Sequence, residues 1–140
     1  MRTPTELTLA FRSRGLKVTP QRQLLFALLH DNTTHPSAEA LHLVASARMP
    51  GISLRTVYQT LHDLVDMGEL QHIRLDHGSA RFDPKVDEHH HLVCDECGDV
   101  RDVYARHVAE LRVDGLDGFH VDSTDVVFRG RCAECAARGA

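Results

Sequence analysis

At 140 residues the chain is long enough to bury a core, yet short enough to be one domain or two small ones. The start, Met1-Arg2-Thr3-Pro4, has no apolar leader and no stretch approaches the length of a membrane span, which points to a cytoplasmic protein with no membrane partner. The net charge of -4 argues against a polyanionic partner held by charge alone, although residues 1–83 carry 9 Lys/Arg against 8 Asp/Glu and residues 84–140 carry 7 against 12.

Thr3-Pro4-Thr5-Glu6 reads as a capping box with proline at the first helical position, and Leu7, Ala10 and Phe11 share a face before Gly15 stops the helix. Thr19-Pro20 opens a second helix through Leu24, Leu25, Leu28 and Leu29, and Ser37 opens a third carrying Leu41, Val44 and Ala45. Ser53 caps a fourth, in which Leu54, Val57, Leu61, Leu64 and Val65 form one apolar stripe ending near Gly68. Two strands follow, 70–75 and 80–83, around the turn Asp76-His77-Gly78-Ser79. Short helices followed by a hairpin make a winged helix-turn-helix.

The polar stretch 84–88 reads as a hinge between a domain at 1–83 and another at 89–140. Beyond it the apolar runs shorten into strands at 92–93, 100–104 and 126–128, with one helix-like segment at 108–113, giving an α+β chain overall. Cys94/Cys97 and Cys132/Cys135 form two Cys-x-x-Cys clips, a strong tetrathiolate zinc signal that favours metal over disulfides in a reducing compartment. A core this small needs such a staple. The run His89-His90-His91 is surplus to the four thiolates and suggests a second metal. On a strand His89 and His91 point to one face and His90 to the other, which leaves the middle imidazole out.

The fourth helix divides as a DNA-reading helix must. Its polar face carries Arg55, Thr56, Tyr58, Gln59 and His62; Arg55 and Gln59 can donate to guanine or adenine edges, and Tyr58 can lie on a thymine methyl. Arg12, Arg14, Lys17 and Arg22 could meet phosphates. An ordinary surface helix would show the same division. A module this weakly basic has to act as a symmetric dimer on two half-sites of a double-stranded operator.

The segments Val18-Thr19-Pro20-Gln21-Arg22, His35-Pro36-Ser37-Ala38, Ser53-Leu54-Arg55-Thr56-Val57-Tyr58-Gln59-Thr60-Leu61, Arg81-Phe82-Asp83, His89-His90-His91-Leu92-Val93-Cys94-Asp95-Glu96-Cys97-Gly98 and Gly130-Arg131-Cys132-Ala133-Glu134-Cys135 resemble, in order and across nearly the whole chain, the Fur family of metal-dependent repressors. The resemblance implies an N-terminal winged helix domain, a hinge, a C-terminal α/β dimerisation domain with a four-cysteine structural zinc, and a homodimer on an AT-rich inverted repeat. It places the regulatory metal on His35, Asp83, His89, His91 and Asp102. Taken singly, His35 could be a solvated turn residue, Asp83 the end of a hairpin and Asp102 a surface strand residue. The other histidines, His30, His42, His62, His72, His77, His107 and His120, read as surface or packing residues.

Three imidazoles with two carboxylates make a hard nitrogen/oxygen site suited to Fe²⁺ or Mn²⁺. An Asp at position 83 resembles the peroxide-sensing branch of the family, where iron-sensing members tend to have Glu. By that resemblance His35 and His89 are the imidazoles oxidised to 2-oxo-histidine, and bound Mn²⁺ leaves the protein insensitive. The alternative is an iron-, manganese-, zinc- or nickel-uptake regulator without peroxide sensing. A further metal site found in many family members has no histidine to draw on in the matching stretch Asp122-Ser123-Thr124-Asp125. Gln59 also departs from the residues usual in the family at that recognition-helix position.

Two other classes compete. A zinc hydrolase or deaminase would need His-Glu-x-x-His, or a His-x-Glu ahead of a Pro-preceded clip, and neither occurs. A zinc-ribbon interaction module without a sensing role would bind DNA independently of a second metal.

Overall fold

Thr3 begins helix α1 (Pro4–Ser13) with a complete capping box: its hydroxyl accepts from the Glu6 N–H, and the Glu6 carboxylate accepts from the Thr3 N–H at 2.8 Å. That bond to the Thr3 N–H is the main reason the Glu6 carboxyl lies below its usual range. The same chemistry starts α2 (Pro20–Leu29) at Thr19, α3 (Ala38–Arg48) at Ser37 and α4 (Leu54–Asp66) at Ser53, each hydroxyl accepting from the N–H three residues on. Gly15 and Gly68 take the left-handed φ values, +72° and +73°, that let the chain leave α1 and α4.

The computed structural model describes residues 1–76 and 78–139 and divides the chain into two compact units, Met1–Val86 and Asp87–Ala140. In the first unit the apolar stripes of the four helices meet in one core, with Leu7, Phe11, Leu25, Phe26, Leu29, Val57, Leu61 and Leu64 wholly buried. The Phe11 and Phe26 rings pack edge to face at 4.8 Å. An antiparallel hairpin, β1 (Gln71–Ile73) and β2 (Arg81–Asp83), completes a winged helix-turn-helix in the register Gln71↔Asp83. These strands are shorter than the sequence reading of 70–75 and 80–83. The turn read at 76–79 includes His77, which lies outside the described residues.

The second unit is a three-stranded sheet in the order β4-β3-β5, formed by β3 (His90–Cys94), β4 (Val100–Val103) and β5 (Val127–Gly130). β3 pairs antiparallel with β4 and parallel with β5. A short helix α5 (Ala133–Arg138), which the sequence pattern did not reveal, carries the last cysteine inward. The helix expected at 108–113 is only a 3-10 turn at Val108–Glu110. Two left-handed glycines, Gly115 and Gly118, and left-handed Asp117 keep the following segment irregular. Among the described residues no helix is long and apolar enough to cross a membrane.

Candidate metal centres

The two clips arrive from different parts of the second unit. Cys94 ends β3, Cys97 lies in the turn closed by the Gly98 N–H to the Cys94 carbonyl at 2.9 Å, Cys132 caps α5, and Cys135 lies one turn inside it. Their four sulfurs lie within 4.8 Å of one another, and none is in a disulfide. Cys97 Sγ and Cys132 Sγ are 3.9 Å apart. Four thiolates around a zinc at its usual bond length stand roughly 3.8 Å from each other, so the donor set and spacing fit that ion.

The four sulfurs are not equivalent. N–H groups of Cys97 and Cys132 donate to Cys94, the latter at 3.3 Å, and hold its thiol down to about 6. Burial pushes the Cys135 thiol up to about 12, opposed by the Arg138 guanidinium at 3.1 Å. At Cys97 a backbone N–H from Asp99 pulls the thiol down, but hydrogen bonds with Cys94 and Cys132 together with desolvation outweigh it and leave the thiol raised.

Histidine and carboxylate meet in each unit. In the first, β2 and the loop before α3 bring His35 Nε2 to 3.2 Å from Asp83 Oδ2, both side chains 3% exposed. His35 has a left-handed φ of +50° immediately before Pro36. A non-glycine residue in this region is held there by its surroundings at a cost of roughly 1–3 kcal/mol, and such residues gather at functional sites.

In the second unit, His89 and His91 flank β3 residue His90 and present their rings to each other at 4.7 Å. His89 Nε2 and His91 Nε2 lie 3.3 and 3.5 Å from Asp102 Oδ1, supplied by the register His91↔Asp102 between β3 and β4. The Asp87 carbonyl sits 2.7 Å from His89 Nδ1; a carbonyl only accepts, so Nδ1 donates to it and Nε2 is the ring nitrogen turned to the Asp102 carboxylate. Two acceptors at 3.3 Å repel unless a proton or a metal ion lies with them. Donors sharing one ion at about 2.1 Å stand roughly 3–3.4 Å apart, so all three pairs have the spacing of metal ligands.

His90, expected to be left out of the metal pair, is not among the clustered histidines and carboxylates; it is buried, with its Nδ1 accepting from the Val126 N–H at 3.1 Å. It ties β5 to β3. The sequence reading also gave no role to Asp87, Arg81 or Tyr104, whose hydroxyl reaches Asp87 Oδ2 at 3.1 Å. Only Arg81 carried a signal, its place beside Asp83 in a quoted motif.

On α4, Arg55 and Gln59 are exposed, while Thr56 and Tyr58 are half-buried. The Thr56 hydroxyl lies 3.0 Å from the capping Ser53 hydroxyl, and Gln59 donates to Asp63 at 3.2 Å. The Tyr58 hydroxyl donates to Glu39 of α3 at 2.5 Å, which raises the tyrosine and lowers the carboxyl. Lys17 is exposed. Arg22 is turned inward: its guanidinium pairs with Asp63 at 3.0 Å, donates to the Lys17 carbonyl at 3.1 Å and lies 5.4 Å from the centre of the Phe11 ring.

A winged helix-turn-helix followed by an α/β unit with clustered thiols defines a metal-responsive regulator of transcription rather than an enzyme. The chain belongs to the Ferric uptake regulator family, whose profile matches residues 13–129. It is 30% identical over 128 residues to the peroxide-responsive repressor PerR of Staphylococcus aureus, covering 90% of this chain and 86% of that one. Among solved structures, the ferric uptake regulator Fur of Helicobacter pylori superposes with a TM-score of 0.79 at 21% identity, covering 94% of this chain and 90% of the other. The Campylobacter jejuni peroxide stress regulator does so at 0.65 and 26%, covering 96% and 100%.

Proposed function

We propose that the chain is a homodimeric, metal-activated repressor that senses peroxide by oxidation of a ligand histidine. The observation that carries this reading is the pair of buried histidine–carboxylate clusters, His35 with Asp83 and His89/His91 with Asp102. Buried imidazoles and carboxylates at ligand spacing are costly unless a cation neutralises them. We take the five residues together as one regulatory site. The family resemblance supports this grouping, and metal occupancy and operator affinity then reinforce each other reciprocally.

Asp83 and the staphylococcal PerR relative favour peroxide sensing over metal-uptake regulation. Ferrous iron held by these residues would supply the redox chemistry for a net transfer of one peroxide oxygen to an imidazole carbon, with water as the other product. His35 and His89 are the residues we expect to gain oxygen. Losing one of them weakens the site, and the repressor leaves DNA. Manganese does not run this chemistry. The clips Cys94/Cys97 and Cys132/Cys135 hold a structural zinc and stiffen the dimer domain.

For operator contact we assign Arg55, Thr56, Tyr58 and Gln59 to base edges and Lys17 to phosphate, within a DNA-binding domain at 1–83. Arg22 positions these elements from inside. Leu92 and Phe128, register partners on β3 and β5, are 42% and 43% exposed, which supports pairing of two copies through the domain at 89–140.

The test loads the zinc form with Fe²⁺ or Mn²⁺, adds hydrogen peroxide, and follows operator binding with peptide masses. One added oxygen on the His35 or His89 peptide, only with iron and together with DNA release, is the expected result. Unchanged DNA binding, or release that tracks disulfide formation in the clips, would sink histidine oxidation. Switching by zinc or nickel alone would favour the metal-uptake alternative.

A further inference from the structure

His35 needs a reason to stay in a left-handed conformation before a proline, and strand β2 supplies it. Alternation along β2 puts Arg81 and Asp83 on one face with Phe82 on the other. Asp83 meets the His35 imidazole at 3.2 Å. The Phe82 N–H donates to the Pro36 carbonyl at 3.0 Å. Arg81 completes the set: its Nε donates to the His35 carbonyl and its Nη2 to the Thr34 carbonyl at 3.4 Å. The loop is tied at its other end by Asn32, which donates to the Leu28 carbonyl at 3.1 Å and accepts from the Thr34 N–H at 2.9 Å. The backbone on either side of His35 is therefore fixed, and the rigid guanidinium fork fixes the part nearest the imidazole.

We propose that Arg81 is a positioning residue for the regulatory metal site, clamping the Thr34 and His35 carbonyls so that the His35 imidazole stands against Asp83 in a ready-made half-site. This rests on the reading of His35 and Asp83 as metal ligands. The sign of the effect separates clamping from charge. A cation two residues from Asp83 repels an incoming dication, so removing the charge should by itself tighten binding. Loss of the clamp leaves the loop to be ordered at each binding event and weakens it.

The experiment uses the full-length zinc-loaded protein and Mn²⁺ alone, titrated by the electron paramagnetic resonance signal of the free ion. Amide hydrogen exchange over residues 32–37 is measured without manganese, and circular dichroism confirms folding. For Arg81→Gln, Mn²⁺ affinity should fall about 10- to 100-fold, the usual range for a residue that orients a ligand from behind. Exchange over 32–37 should rise. Arg81→Lys, which offers one donor direction instead of a fork, should recover part of both losses. Unchanged or tighter Mn²⁺ binding by Arg81→Gln, with His35→Ala still losing it, overturns the proposal and leaves the regulatory reading standing. Undiminished binding by His35→Ala overturns the regulatory reading itself. Should Arg81→Gln melt below the assay temperature, Arg81→Lys decides: weaker binding with faster exchange supports the clamp, and unchanged affinity refutes it.

Discussion

Arg22 is the residue at which a DNA-contact role and a structural role predict different numbers. Its guanidinium and the Asp63 carboxylate are each 14% exposed and 3.0 Å apart, joining α2 to α4, so the pair is neither a solvated surface bridge nor fully desolvated. A half-screened pair of this kind couples by about 1–2 kcal/mol after desolvation. Arg22→Ala also loses a charged hydrogen bond to the Lys17 carbonyl, worth roughly 1.5 kcal/mol, and the contact with the Phe11 ring, worth about 0.5–1 kcal/mol. The single variant should therefore lose about 3–4 kcal/mol and Asp63→Ala about 2 kcal/mol. The double variant should fall short of their sum by the coupling of 1–2 kcal/mol. For a unit of this size each kcal/mol moves the melting temperature by roughly 4–8 °C, so Arg22→Ala should melt at least 10 °C lower. Urea melts of all four proteins measure the cycle, and operator titrations at two salt concentrations test the rival. If Arg22→Ala melts like the parent yet loses operator affinity with a shallower salt dependence, Arg22 meets phosphate and its inward placement is irrelevant to function.

Ser53→Ala removes the N-cap of α4 and should cost about 1 kcal/mol in denaturant melts, with a larger loss of operator affinity if that helix reads DNA. His90→Ala should lower the stability of the second unit while leaving Mn²⁺ affinity within about threefold of the parent; His91→Ala should do the reverse, and loss of metal in both would contradict the separation drawn here. Zinc uptake by the stripped protein at pH 7.5 should release fewer than four protons per ion, because the Cys94 thiol, held down to about 6, is already ionised while the raised Cys97 and Cys135 are not. Below about pH 6 the count should rise by one, as Cys94 also starts protonated; a calorimetric count of four at both pH values would contradict this. Leu92→Glu with Phe128→Glu should convert a dimer to a monomer in sedimentation velocity, and an unchanged dimer would place the interface elsewhere.

The sequence by itself determined whatever is decided within one turn or one strand. Thr3, Thr19, Ser37 and Ser53 start helices because a hydroxyl reaches an N–H three residues on, and that geometry is local. The apolar stripes fixed which helix faces would meet, and the two clips were legible because each holds both its sulfurs within four residues. Only the tertiary structure decided what depended on partners far along the chain. Arg22 turned from solvent to Asp63, His90 became the acceptor for Val126, and Arg81 was joined to carbonyls more than 40 residues away. The expected helix at 108–113 failed for a related reason: Ala109, Glu110, Leu111 and Arg112 are good helix formers, but the turn there buries no residue, so nothing offset the cost of nucleating a short helix, whereas α5 formed where Cys135 had a buried place to fill. A side chain's type is written in the sequence, but its partner is chosen by which surfaces the fold brings together.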